Sequence, residues 1–423
     1  MSIRAHGRAW KTAVAGATVL SLTLAGCSSG PGDSGSTVSV LAADYGERTA
    51  IPISEYWDDL TARFTEENPG IEVEVELVPW EELDVTLAQR YEAGNPPDIA
   101  QAGSYAEYVA EDALHPAGDM LSMPVISDFV PTLASAGEVV YKQYGMPFIS
   151  STPQLFYNDA LFEQAGIDGP PDSWDELQTA AQALSDAGVA TPYALQFGAD
   201  SIHEEAMAWI LGAGGSYTNI TDAYVLDRPE NIEAITWLKD NLVGADLVGP
   251  DPALGRGAAY RGFLTGEVGM LLAHPSLLGA IAAAGTPAKH APFPSLEGGP
   301  AAPTGHSDWL LGFRGSGNAK QMGTFLDFLY RKENVASGTG DYGSIPSTVS
   351  GGESLLETED YRALWPFIEQ MPIARLQPMS RHSWLEVRSE IRTQLAAAVA
   401  PDGDPEAVLR ALQARADTLQ SEQ

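Results

Sequence analysis

The stretch Phe64-Thr65-Glu66-Glu67-Asn68-Pro69-Gly70-Ile71-Glu72-Val73-Glu74-Val75-Glu76-Leu77 passes from one periodicity to another within three residues. Its first four residues finish a helical run from Ile53, in which Trp57, Leu60 and Phe64 share a face at i, i+3 and i+7. Asn68-Pro69-Gly70 stops the helix, and Ile71, Val73, Val75 and Leu77 then alternate with glutamates as a strand with one wet face. Before this stretch, Val38-Ser39-Val40-Leu41 reads as a buried strand. After it, Leu83, Leu87 and Tyr91 mark a second helix, Gly94-Asn95-Pro96-Pro97 ends it, and Asp98-Ile99-Ala100 opens a third strand. Strand, helix, strand, helix, strand with short joints predicts a parallel α/β sheet.

A second unit opens near Pro147. Leu155-Phe156-Tyr157 reads as a strand, and Ser173-Trp174-Asp175-Glu176 is a capping box before a helix striped by Leu177, Ala181 and Leu184. Helical patterns follow over Glu204 to Leu211, Asn231 to Leu242 and Ala319 to Lys332. Near the end Val387, Ile391, Leu395 and Val399 recur every four residues, and Asp404-Pro405 caps a last helix. Trp57, Trp174 and Trp237 fall on packing faces by their periodicity.

The N-terminus has a different chemistry. Arg4, Arg8 and Lys11 precede an uncharged run, Thr12 to Gly26, which is shorter than the ~20 residues of a bilayer-spanning helix. It ends in Leu24-Ala25-Gly26-Cys27, which resembles a bacterial lipobox. The expectation is a signal peptide over residues 1–26, lipid attachment at Cys27, a Ser/Gly/Pro tether over 27–36, and a chain held at the extracytoplasmic face of the cell membrane. Cys27 is the sole cysteine, so no intrachain disulfide forms and stability must come from packing. The formal charge is −34, from 23 basic against 57 acidic side chains, which excludes the basic track a nucleic acid needs. Val268 to Ala284, the longest later apolar run, is broken by His274-Pro275.

Catalytic motifs are weak. Gly26-Cys27-Ser28-Ser29-Gly30 has the form of a nucleophile elbow but straddles the expected cleavage point. Gly338-Thr339-Gly340-Asp341-Tyr342-Gly343 has the form of a dinucleotide fingerprint, yet it follows a helix rather than a strand and reads as a structural loop. His115, His203, His274, His290, His306 and His382 are scattered, with no His-x-x-x-His pair, so neither a metal site nor a cofactor is expected.

Taken in order, several segments resemble the extracellular solute-binding proteins of ABC importers, the sugar-binding family 1 typified by maltodextrin-binding proteins. They are Phe64 to Val73, then Ala93-Gly94-Asn95-Pro96-Pro97-Asp98-Ile99, then Tyr144-Gly145-Met146-Pro147 with Leu155-Phe156-Tyr157-Asn158. Gly266-Glu267-Val268-Gly269-Met270 and Gly343-Ser344-Ile345-Pro346 complete the set, although His274-Pro275 stands where the family often has a tryptophan. The resemblance implies two α/β lobes closing on a ligand, no catalysis, a monomer, and ABC permease subunits as partners. It places lobe 1 at 37–147 and 271–331, and lobe 2 at 148–270 and 332–423.

In open α/β sheets the ligand crevice lies beyond the carboxyl ends of the strands. That rule selects Asp44 and Tyr45, Trp80, and Gln101 with Tyr105, after the first three strands. Later segments add Asp308, Trp309, Asp341, Tyr342, Arg381 and Trp384. Aromatic rings stack on sugar C–H faces while carboxylates, amides and guanidinium groups bond hydroxyls, so the expected ligand is a neutral mono- or oligosaccharide. The rival readings are a secreted carbohydrate-active hydrolase and a binder of peptides or phosphorylated polyols.

Overall fold

Among the described residues, thirteen strands sort into two main sheets and one hairpin. In chain order they are β1 (Ser36–Asp44), β2 (Ile71–Pro79), β3 (Ile99–Ala102), β4 (Glu138–Val139), β5 (Lys142–Gln143), β6 (Met146–Ser151), β7 (Gln154–Asn158), β8 (Thr191–Tyr193), β9 (Val268–Ala273), β10 (Ala288–Ala291), β11 (Thr304–Gly312), β12 (Ile345–Pro346) and β13 (Arg375–Leu376). The first sheet runs β12-β6-β11-β3-β1-β2, with β13 alongside β11. The second runs β10-β7-β9-β8, and β4 pairs only with β5. This computed structural model describes residues 36–45, 52–251, 253–315, 317–340 and 342–422; the expected leader, Cys27 and Asp341 lie outside them. The described residues form one compact unit. No helix among the described residues is long and apolar enough to cross a membrane.

The opening β-α-β-α-β reading holds. β1 pairs in parallel with β2 over Ser36 to Asp44 and with β3 at Val40 and Leu41. The helix Ile53–Glu67 buries Trp57, Leu60 and Phe64 as its spacing requires. The glutamates of β2 face solvent, and its apolar residues are only half-buried because β2 is the edge of the sheet. Both caps form: Ser173 Oγ accepts from Glu176 N at 3.2 Å, and Asp404 Oδ1 accepts from Ala407 N at 3.0 Å. In the second half, Trp174 packs against Trp209 and Trp237 with ring centroids 5.0 Å away in each case.

Sheet membership cuts across the expected segment boundaries. Residues 148–151 belong to β6 of the first sheet, and the chain passes to the second sheet at Thr152-Pro153. Leu271 lies inside β9, paired with Phe156 of β7, and β10 also pairs with β7, so 271–291 belongs with the second sheet. β12 and β13 return to the first sheet, so 332–423 is not a single block. These assignments depend on antiparallel pairing between remote strands, which leaves no local signal. The Gly338 motif also differs from expectation: Gly338 and Gly340 end the helix Lys332–Gly340 instead of forming a loop. A Cβ on Gly338 would meet the Tyr56 ring at 2.3 Å, and one on Gly340 the Tyr361 ring at 2.6 Å. Close packing of rings on a helix, not phosphate binding, explains these glycines.

Tyr56 is held by Trp57, Phe148 and Tyr342 and cannot swing away. Gly338→Ala therefore gains roughly 1 kcal/mol of helix propensity but forces overpacking that costs about 1–3 kcal/mol. Urea denaturation should show the variant less stable than the wild type; equal or greater stability would mean that Tyr56 yields.

Candidate functional site

A cavity of about 670 Å³ opens between elements of the two sheets. The first sheet contributes Tyr45, just after β1; Trp80, just after β2; Ile149 to Ser151 of β6; and His306 to Asp308 of β11. Elements next to the second sheet contribute Glu204 from the helix Ile202–Gly212, Arg256 and Tyr260 from the helix Arg256–Leu264, and His274 just after β9. Tyr342 to Ser344 close one side, and Ile53, Leu264, Leu277 and Ala280 add apolar wall.

One wall is an aromatic platform. The Tyr45 and Trp80 rings stack at 5.8 Å with 26° between planes. The platform is anchored from behind, because the Tyr45 hydroxyl donates to Asp308 Oδ2 and Gln101 Nε2 donates to the same oxygen at 2.9 Å. Gln101 is itself fixed by Ala43 N, which donates to its Oε1 at 3.0 Å. Burial pushes the Asp308 carboxyl up to about 7 despite those two donors. Asp308 sits where the register between β11 and β6 shifts, and such an irregularity lets both Ser307 and Asp308 line the cavity.

The floor is a charge cluster centred on Glu204. Arg256 pairs with its Oε2, and three imidazole nitrogens surround the carboxylate: His274 Nε2 at 3.6 Å, His306 Nδ1 at 3.6 Å and His203 Nε2 at 3.7 Å. Burial alone would raise the Glu204 carboxyl, but Arg256 and the imidazoles outweigh it and hold it well below the usual carboxylate range. Burial, reinforced by Arg256, pushes His274 down to about 4, and burial lowers His306 as well. The floor thus carries one ion pair and neutral imidazoles. His274 is oriented by Ser151 Oγ, 2.7 Å from its Nδ1, and by its own backbone N–H, which donates to the Tyr260 hydroxyl at 3.0 Å.

The structure brings Tyr45, Trp80, Asp308 and Tyr342 to the cavity wall, with Gln101 directly behind. Tyr342 contributes only an edge, since its ring packs on Tyr56 and its hydroxyl donates to Pro52 O. Of the other expected residues that the structure describes, Asp44, Tyr105, Trp309, Arg381 and Trp384 do not line this cavity. Asp44 ends β1 in register with Pro79. Tyr105 and Trp309 are fully buried against each other at 5.3 Å, because alternation along β11 turns Trp309 into the core. Trp384 packs beside Tyr217, and Arg381 lies over Tyr224 and bonds Asp222. Trp309 Nε1, Trp384 Nε1 and Arg381 Nε are buried with no acceptor among the described residues. Sequence reasoning missed Glu204, Arg256 and Ser151, and counted His274 and His306 among the scattered histidines. The one available signal was position, because His274 follows a strand and His306 stands two residues before Asp308.

The raised Asp308 carboxyl has a pH consequence. A carboxyl with a higher pKa in the folded state contributes stability that is complete below its unfolded value near 3.8 and is lost as pH rises through about 7. The slope between those values is about 1.4 kcal/mol per pH unit. Asp308→Asn removes that loss, so between pH 5 and 7 the stability difference should move in favour of the variant by roughly 2 kcal/mol. Urea melts at the two pH values read this directly, and a pH-independent difference would show Asp308 ionised throughout.

Known proteins of similar sequence and shape are binding proteins. The chain is 28% identical over 423 residues to a Brucella abortus (strain 2308) protein named only as a binding protein, covering 97% of this chain and 98% of that one. It is 27% identical to the sn-glycerol-3-phosphate-binding periplasmic protein of Escherichia coli (strain K12), covering 74% of this chain and 78% of that one. The cyclic alpha-maltosyl-1,6-maltose binding protein of Arthrobacter globiformis has the same fold, with a TM-score of 0.77, 21% identity, and coverage of 92% of this chain and 99% of that one. The fold is accordingly the two-lobed one of periplasmic binding proteins. Residues 50–336 match the bacterial extracellular solute-binding proteins, and the chain belongs to that family.

Proposed function

We propose that the protein captures a neutral sugar or oligosaccharide in the cavity between its lobes and delivers it to the permease of an ABC importer. The observation that carries this reading is the pairing of a stacked Tyr45–Trp80 platform with a floor whose charges are already compensated. Pyranose rings present C–H faces to such a platform, and their hydroxyls bond to groups of the Ser151, Asp308 and Glu204 type. The structural neighbour that binds a cyclic maltosyl-maltose agrees with this choice. The glycerol-3-phosphate-binding relative favours a phosphorylated polyol instead. A phosphate needs uncompensated cations, however, and the guanidinium on the floor, Arg256, is already engaged by Glu204. The charge balance of the floor therefore puts the neutral ligand first.

Tethering belongs to the same proposal. Cys27, following a short apolar leader, would carry the lipid that keeps a soluble binder near its permease. Cys27→Ser should abolish incorporation of labelled fatty acid and move the protein out of the membrane fraction; persistence in that fraction would refute the anchor.

A thermal-shift panel of neutral saccharides together with glycerol 3-phosphate tests the ligand. Stabilisation by a saccharide that is recovered intact supports the proposal, release of product would make the protein a hydrolase, and a shift with glycerol 3-phosphate alone would favour the polyol phosphate. Trp80→Ala should weaken saccharide binding about tenfold, the size of one lost aromatic stacking contact. An unchanged affinity in a variant that melts normally would remove the platform from the site.

A further inference from the structure

The cluster at the cavity floor contains more donors than a hydrogen-bonded ion pair needs. The ring nitrogens of His274, His306 and His203 stand 3.6–3.7 Å from the Glu204 oxygens, beyond hydrogen-bonding range. Ligand atoms around a tetrahedral zinc, each about 2.0–2.1 Å from the ion, lie roughly 3.3 Å apart. One donor atom each from Glu204, His274 and His306 falls within 4.8 Å of the other two, so shifts of under about 1 Å would close them on an ion.

Three further observations fit coordination. The second nitrogen of His274 is held at 2.7 Å by Ser151 Oγ, the outer partner that fixes the orientation of a metal-bound imidazole. His306 Nε2 and His203 Nδ1 are buried with no partner among the described residues, so these rings are not held in place by hydrogen bonds of their own. The three side chains are also partly exposed to the cavity, where an ion can reach them.

We infer that Glu204, His274 and His306 form a site for a zinc-class divalent transition metal, with an open coordination position facing the cavity. Imidazole and carboxylate donors select Zn²⁺ or Ni²⁺ over Mg²⁺. His306 comes from β11 of the first sheet, whereas His274 and Glu204 come from elements beside the second. A bound ion therefore cross-links elements of the two sheets. Arg256 is its competitor, because the guanidinium already occupies Glu204 Oε2. The inference does not depend on which solute the cavity takes.

Calorimetric titration of the chelator-stripped, purified full chain with ZnCl₂ tests the site, with MgCl₂ as control. The expected result is one Zn²⁺ per chain and no response to Mg²⁺. His306→Ala and His274→Ala should each weaken binding at least tenfold while the circular-dichroism melt still reports a folded protein. Arg256→Ala should tighten it at least tenfold by removing the competing cation, an effect that a purely structural ion pair does not produce. Co²⁺ should give visible d–d bands that His306→Ala abolishes, a readout that stands even if His274→Ala does not fold. Absence of one-to-one binding, or Zn²⁺ affinity and Co²⁺ bands unchanged in the folded histidine variants, would place any bound ion elsewhere and overturn the inference. A failed saccharide panel leaves this titration unaffected.

Discussion

Strand β11 hydrogen-bonds on both sides, to β3 through Trp309 to Gly312 and to β6 through His306, Ser307, Trp309 and Leu310. The rest of the site depends on that double pairing. β3 belongs to the opening β-α-β-α-β unit, and β6 is the last strand before the chain crosses to the second sheet, so β11 locks the two together. It also carries the chemistry. His306 and Asp308 reach the cavity while Trp309 enters the core, and the register shift around Asp308 frees its carboxylate to accept from Tyr45 and Gln101. A strand inserted between two partners has little freedom to slip, because a one-residue slip would turn Trp309 outward and Asp308 inward.

The parts of the fold legible in the sequence were those set by local pattern. The alternation of β2, the apolar faces of Ile53–Glu67 and Trp174–Asp186, and the caps at Ser173 and Asp404 all depend on neighbours within a few residues. Sheet membership depends on partners far along the chain. β9 looks the same in sequence whichever sheet it joins, and only its pairing with β7 decides. The site divides in the same way. Tyr45 and Trp80 could be found because they follow parallel strands, whose carboxyl ends define a crevice. Glu204 looked like any acidic residue in the first turn of a helix, a position where carboxylates are common for reasons of dipole and solvation. Nothing near it in sequence announces Arg256 or His274. Trp309 and Trp384 illustrate the converse: large aromatics close to strand and helix ends that pack into the core.

The electrostatics of the cavity contrast with those of the chain as a whole. A formal charge of −34 repels anions at long range, and inside the cavity burial further disfavours uncompensated charge. Glu204 remains ionised there because Arg256 and the imidazoles compensate it, whereas Asp308, with only hydrogen-bond donors beside it, is pushed towards the neutral form. Two carboxyls in one cavity thus take opposite states, one an acceptor fixed by a cation and the other able to donate or accept near neutral pH. Both capacities suit a ligand whose hydroxyls do the same.

Ser151 ties the cavity floor to the passage of the chain between the two sheets. In β6 it pairs across to His306, its side chain bonds His274, and Thr152-Pro153 then leads directly into Gln154 of β7. Gln154 pairs in turn with Ala273, the residue before His274. The passage between the two sheets and the residues of the cavity floor are therefore adjacent in sequence or in strand pairing. The Ser151–His274 contact and the approach of His306 to Glu204 both join elements of different sheets. An occupant that fixes the floor would therefore favour whichever arrangement of these elements makes the better contacts with it.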